Sequence, residues 1–181
     1  MKKYELTDDT ITVGGRILHR IKALKSFSDV EEGDLGGYVE KEDNLDHSGE
    51  AWVSGNAWVY GNAWVYGDAR VYRDARVSGN ARVYGNAWVY GNARVYGNAR
   101  VSGDARVSGE NDYAAAKGFG REYRTTTFFR LQDGGIGVRC GCFCGTLEEF
   151  REKVKETHKE SKMGKEYLML ADLMEYKFKN A

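Results

Sequence analysis

The stretch from Asn86 to Gly103, NAWVYGNARVYGNARVSG, says one six-residue phrase three times over. Followed outward, the phrase divides Ala51 to Glu110 into ten hexads: AWVSGN, AWVYGN, AWVYGD, ARVYRD, ARVSGN, ARVYGN, AWVYGN, ARVYGN, ARVSGD and ARVSGE. The rule is Ala, then Trp or Arg, Val, Tyr or Ser, Gly, and Asn or Asp. Each hexad reads as a short strand plus a two-residue corner. Side chains alternate along a strand, so Ala and Val share the inside while Trp/Arg and Tyr/Ser share the outside. Gly followed by Asn or Asp suits a corner, because these residues tolerate positive φ and bond locally. A period of six gives an α-helix no constant apolar face, and hairpins would have to reverse every few residues. A parallel β-solenoid remains, with coils stacked about 4.8 Å apart.

The aliphatic-then-small pattern met by Val53, Ala57 and their successors resembles the hexapeptide-repeat left-handed β-helix family. The resemblance implies triangular coils of three hexads, about three coils in all, so that residues eighteen apart stack. One side then carries Trp52, Arg70, Trp88 and Arg106 in a column. The others carry Trp58, Arg76, Arg94 and Trp64, Arg82, Arg100. Ladders of this kind can simply hold register over a core of Val and Ala, since Arg over an exposed ring contributes roughly 0.5–1 kcal/mol. The alternative is a binding face. Arg73 takes the corner Gly's place in VYRD, as a tolerated substitution or as a ligand contact.

Around the repeat the expected organisation is an N-terminal β cap (1–50), the β-helix (51–110), a linker (111–124) and a small C-terminal ββαα domain (125–181). In the cap, Thr10 to Val13 and Arg16 to Ile21 read as strands of a hairpin around Gly14-Gly15. LDHSGE, Leu45 to Glu50, fits the hexad loosely, with His47 where Val stands elsewhere and so expected to point inward. In the C-terminal part, two strands joined by Asp133-Gly134-Gly135 precede a helix from Leu147 to about His158. Thr146 and Glu149 form its capping box. A second helix around Lys165 to Phe178 turns Tyr167, Leu170, Ala171 and Met174 inward. CGCFCGTLEEF, Cys140 to Phe150, resembles the end domain of phage and prophage proteins, as does the opening YELTDDTITVGGRILHRIKAL. This implies a genomic context rather than a chemistry.

Charge is unevenly placed. Residues 1–50 hold 7 basic and 12 acidic side chains, a net of −5; 51–110 hold 7 Arg and 4 acids, a net of +3. That is no polybasic binder of duplex nucleic acid. No apolar run approaches the roughly 18 residues of a membrane helix, and the acidic start MKKYELTDD is unlike a signal peptide. Three Cys within five residues make no disulfide framework, so a reduced cytoplasmic setting in a bacterial host is expected.

Candidates for chemistry are few. Cys140, Cys142 and Cys144 would face one way on a strand, with His158 as a fourth zinc ligand, but zinc sites favour Cys pairs at turns. Ordinary core packing explains the cysteines as well, and no metal or cofactor is expected. A Cys nucleophile lacks a recognisable base. Acyltransferases of the hexapeptide fold use a His and an inserted loop, and residues 51–110 contain neither. The expectation is therefore a non-enzymatic phage accessory protein that sequesters a small anionic, nucleotide-type ligand of host antiviral signalling. Rings stack a base and Arg pairs with phosphate. The expected ligand-binding residues are Trp52, Arg70, Arg73, Arg76, Arg82, Trp88, Tyr90, Arg94 and Arg106. Replacing Arg70, Arg76 and Arg82 together should abolish capture. The competing readings are a protein-interaction scaffold or inhibitor acting on a host protein, and an acyltransferase. A homo-oligomer, most simply a trimer, accompanies the fold.

Overall fold

The computed structural model describes residues 2–179, which form a parallel β-solenoid flanked by a β cap and a small helical module. Ten two-residue strands, one per hexad, run from β4 (Trp52–Val53) to β13 (Arg106–Val107). Each pairs in parallel with the strand one coil away, in strict register: Trp52 with Arg70, Arg70 with Trp88, Trp88 with Arg106. The eighteen-residue stacking is therefore present on all three faces. Every hexad Ala and Val is buried, 0–1% exposed, so one methyl and one isopropyl group per hexad fill the interior. The coils are tied by backbone hydrogen bonds such as Trp58 N to Ala75 O at 2.9 Å and Trp88 N to Ala105 O at 2.8 Å. At the corners Asn side chains continue the ladder: Asn62 donates to Asn80 at 3.3 Å, and Asn80 to Asn98 at 3.2 Å.

The solenoid has about four turns rather than three, because the chain builds one coil before the hexads begin. Strand β3 (Leu35–Val39) pairs in parallel with Trp58–Val59, and Leu45 bridges to Val65. Leu45, 1% exposed, thus takes the core position expected of His47. Two extra residues separate Leu45 from the regular register that resumes at Gly49, whose Cβ position faces Gly67. His47 lies half-buried at the coil's end, stacked on Tyr4 at 4.4 Å, its Nδ1 accepting from Lys3 N.

Strands β1 (Tyr4–Val13) and β2 (Arg16–Ala23) form the expected hairpin, longer than the sequence indicated. With β3 they extend the Trp58 face into a six-stranded sheet. Tyr4 and Lys3 plug the first coil: the Tyr4 hydroxyl donates to the Glu42 and Leu45 carbonyls at 2.8 Å, and Lys3 Nζ to Ala51 O at 2.7 Å. An otherwise open edge is thereby covered.

At the other end, residues 111–124 are not a linker. They contain β14 (Tyr113–Phe119), which pairs with β15 (Arg124–Arg130). Strands β16 (Ile136–Cys140) and β17 (Phe143–Thr146) complete a four-stranded antiparallel sheet, so the module is ββββαα. Helix α1 (Leu147–His158) starts on the expected capping box, with Glu149 N donating to Thr146 Oγ1 and Thr146 N to Glu149 Oε2. Helix α2 (Lys162–Lys179) packs Tyr167, Leu170, Ala171 and Met174 against Phe128, Val138 and Phe150. The module seals the last coil: Phe129 and Tyr113 join the solenoid core, and Thr127 Oγ1 accepts from Arg100 N at 2.9 Å. No helix among the described residues is long and apolar enough to cross a membrane.

Candidate functional site

Register decides which outward side chains meet. The nine residues expected to bind ligand fall on three faces and a corner. Trp52, Arg70, Trp88, Tyr90 and Arg106 lie on one face, Arg76 and Arg94 on the next, Arg82 on the third, and Arg73 at a corner. Arg70, Arg76 and Arg82, in consecutive hexads, therefore diverge around the prism and do not converge within one chain.

The Trp52 face floors a groove of about 850 Å³, walled by the Ser28–Leu35 loop and a corner ladder of Glu50, Asp68, Asn86 and Asp104. Its charge does not suit an anion. Five carboxylates, Asp29, Asp34, Glu50, Asp68 and Asp104, line it against two guanidiniums, Arg70 and Arg106. Both guanidiniums are engaged. Arg70 is paired with Asp29 at 2.6 Å, and Arg106 donates to Gln132 and the Asn86 carbonyl while lying 4.3 Å over Trp88. Trp52 is no exposed platform: Phe27 and Tyr4 close over it and leave it 4% exposed. Tyr90 stacks on Tyr72, ring centres 5.1 Å apart.

The Trp58 face carries an unbroken outward row, Arg20, Tyr38, Trp58, Arg76 and Arg94. Arg20 lies over Tyr38 and Arg76 over Trp58. Arg73, the corner residue, is exposed with φ +61.

On the Trp64 face, rings and free cations coincide. Trp64 stacks on Tyr66 at 4.1 Å, and Tyr66 on Tyr84 at 4.8 Å, nearly parallel. Arg82 stands 5.9 Å from the Trp64 ring. From β16, Arg139 reaches 5.9 Å over Tyr84. Burial, and then Tyr84, raise the Tyr66 phenol pKa, while Arg82, Arg100 and Arg139 all pull it down, so three guanidiniums act on one hydroxyl. Ion pairs among the described residues engage Arg16, Arg20, Arg70, Arg130 and Arg151 and none of Arg82, Arg100 and Arg139, although Glu42, Asp43 and Asp46 line the same cavity as Trp64 and Arg82 at the N-terminal end of this face. Arg139 donates only weakly, to Cys142 O and Phe143 O, and its buried Nε has no acceptor among the described residues. The result is an aromatic shelf with a cationic rim, where an anionic ring system can stack and pair.

The cysteines do not share a strand face. The chain turns at Gly141-Cys142, pairing Cys140 with Phe143, so Cys142 and Cys144 are exposed and only Cys140 packs inward. Cys140 lies near Thr126 Oγ1 and Tyr167, while Cys144 approaches Ser102 at 3.7 Å. His158 packs on Tyr167. Among the described residues, no group of three His, Cys, Asp or Glu side chains could hold a metal ion.

Besides Trp64 and Arg100, which stand in the Arg82 column but outside the expected ligand set, the sequence reading missed Tyr66, Tyr84 and Arg139. Tyr66 and Tyr84 carry a signal, since the eighteen-residue register stacks them. Arg139 carries none, because only the docking of the C-terminal sheet brings it there. Comparison with curated proteins finds no match. The family model for the YdcK beta solenoid repeat matches residues 51–67, 75–91, 87–101 and 93–109. Coils and match agree: the chain is a β-helix repeat protein, its hexad segment similar to that solenoid family.

Proposed function

We propose that the protein is a non-enzymatic binding protein that sequesters a small anionic, nucleotide-type ligand on the Trp64 face. The observation that carries this reading is three guanidiniums without an ion pair among the described residues, Arg82, Arg100 and Arg139, around the Tyr66–Tyr84 stack. A base stacks on the rings and phosphate oxygens pair with the rim, each stacked base contributing about 1–3 kcal/mol. The likeness of CGCFCGTLEEF to phage and prophage end domains supports an accessory role against host antiviral signalling in the bacterial cytoplasm. Self-association into a trimer belongs to the same proposal, as it would deepen a shallow shelf into a cleft.

The test is a thermal-shift screen of the purified chain against cyclic mono-, di- and oligonucleotides, ADP-ribose derivatives and acetyl-CoA. A ligand at 100 times its Kd stabilises by about 2.7 kcal/mol. A shift with one nucleotide class, lost in Arg82→Ala/Arg139→Ala, is the expected result. Silence across the nucleotides overturns the reading, and a shift with acetyl-CoA alone returns the acyltransferase. A scaffold role finds separate support in the acidic groove of the Trp52 face.

A further inference from the structure

We infer that the groove on the Trp52 face is a docking site for an extended basic peptide segment of a partner protein, independent of the nucleotide shelf. The argument is charge complementarity over a shaped cavity. The groove holds about 850 Å³ and carries a net of −3, from five carboxylates and two guanidiniums. Asp29 pairs with Arg70, which leaves Asp34, Glu50, Asp68 and Asp104 against Arg106, whose guanidinium keeps its charge while donating to Gln132 and the Asn86 carbonyl. Among the described residues, hydrogen bonds reach Asp68 and Asp104 only at Oδ1, from Glu50 N and from the Asn86 amide, which leaves Oδ2 of each for a ligand. Between them lies Trp88, 41% exposed, with the Arg106 guanidinium 4.3 Å over its ring, so the part of the indole that Arg106 leaves open is the surface for the methylene stem of Lys or Arg.

The dimensions select the form of the occupant. Four coils give three steps of about 4.8 Å, a floor of roughly 14 Å, which an extended chain at about 3.3 Å per residue covers with about four residues. The ridge bears carboxylates at three of its four coils, Glu50, Asp68 and Asp104, with Asn86 between the last two, so Asp68 and Asp104 stand two coils, about 9.6 Å, apart. A second copy of this chain is a poor occupant, because its own Trp52 face is also acidic and its basic run, Arg151 to Lys165, is set mostly on helices rather than on an extended segment.

Asp68→Asn and Asp104→Asn test the idea without damaging the fold, since Asn already fills this corner position in most hexads and retains the Oδ1 acceptor. The probe is fluorescein-labelled pentalysine, followed by anisotropy at low salt, with labelled pentaglutamate as the opposite charge. Expected are saturable binding of pentalysine, none of pentaglutamate, and at least a tenfold weakening in the double variant. A Glu152→Gln/Glu156→Gln control on α1, which removes two exposed carboxylates elsewhere, should bind as the parent does. Affinity unchanged in the groove variant, equal loss in the control, or no binding at all overturns the inference. Spermine that binds as tightly as pentalysine overturns the peptide assignment. None of these readouts involves Arg82, Arg100 or Arg139, so the nucleotide reading stands or falls separately.

Discussion

The guanidinium carbon of Arg76 lies 4.1 Å from the centre of the Trp58 ring, one coil away. The pair follows from the hexad phrase alone: position two of each unit meets position two of the unit three further on. The contact is half-exposed, so its contribution is that of a surface cation–π pair, about 0.5–1 kcal/mol. Arg76→Ala should lower the thermal midpoint by roughly 2–4 °C for each kcal/mol lost. A loss clearly above 1 kcal/mol in denaturant titration would mean that the ladder carries the fold rather than decorating it.

Corner glycines differ in what surrounds them. Gly79 and Gly97 share φ +68, but a Cβ on Gly79 would stand 3.0 Å from Gly97 N and 3.1 Å from Gly97 O, whereas Gly97 faces open space. Gly97→Ala should cost about 1–2 kcal/mol for the left-handed backbone alone. Gly79→Ala should cost clearly more, because backbone must shift. Arg73 already tolerates φ +61 at an equivalent corner. Arg73→Gly therefore relieves backbone strain, partly offset by the unfolded chain's added freedom, and should stabilise by roughly 0.5–1 kcal/mol. Urea titrations of the three variants check the order.

The plug beneath the first coil makes stability depend on pH. Burial lowers Lys3 from 10.5 to about 8, chiefly against its own desolvation, with Arg70 and Lys25 adding to the effect. From about pH 8 to 10.5 the unfolded chain binds more protons at this site, so stability rises with pH across that window. Below it the cost of the buried charge is fully present. Tyr4 and Tyr113, whose phenols burial raises, act oppositely above their usual value of 10.0, because the folded chain then holds the proton longer. His47, lowered mainly by burial, loses stability as pH falls through 6.5. Urea midpoints should therefore rise from pH 8 to 9.5, and Lys3→Met should flatten that rise.

Much of the fold is written at one period. Ala51 to Glu110 dictate core, corners and register, because each hexad repeats the same local chemistry and agreement between units leaves one solution. Where the phrase degrades, reading fails. Leu45 takes the core place assigned to His47 because two added residues shift the frame, which a fixed period cannot reveal. The stretch 111–124 looked like a linker from its Ala, Gly and charged residues, yet Tyr113 seals the solenoid and its strand finds a partner in β15. Cys140, Cys142 and Cys144 alternate as on a strand, but Gly141 at φ +58 turns the chain between them. The site was legible in kind, rings beside Arg, and not in place. Solvent charge balance around Arg70 comes from Asp29 on a distant loop, and the third cation of the Trp64 face comes from a separate sheet.

The most direct test of the nucleotide shelf reads Trp64 itself. In a Trp58→Phe/Trp88→Phe variant, Trp52 stays buried and Trp64 is the accessible indole. Titration with cyclic di-adenylate and the other members of the nucleotide panel, followed by tryptophan emission, should give saturable quenching by one class, abolished by Arg139→Ala. Quenching that persists unchanged in Arg139→Ala, or no quenching by any nucleotide, would contradict the account.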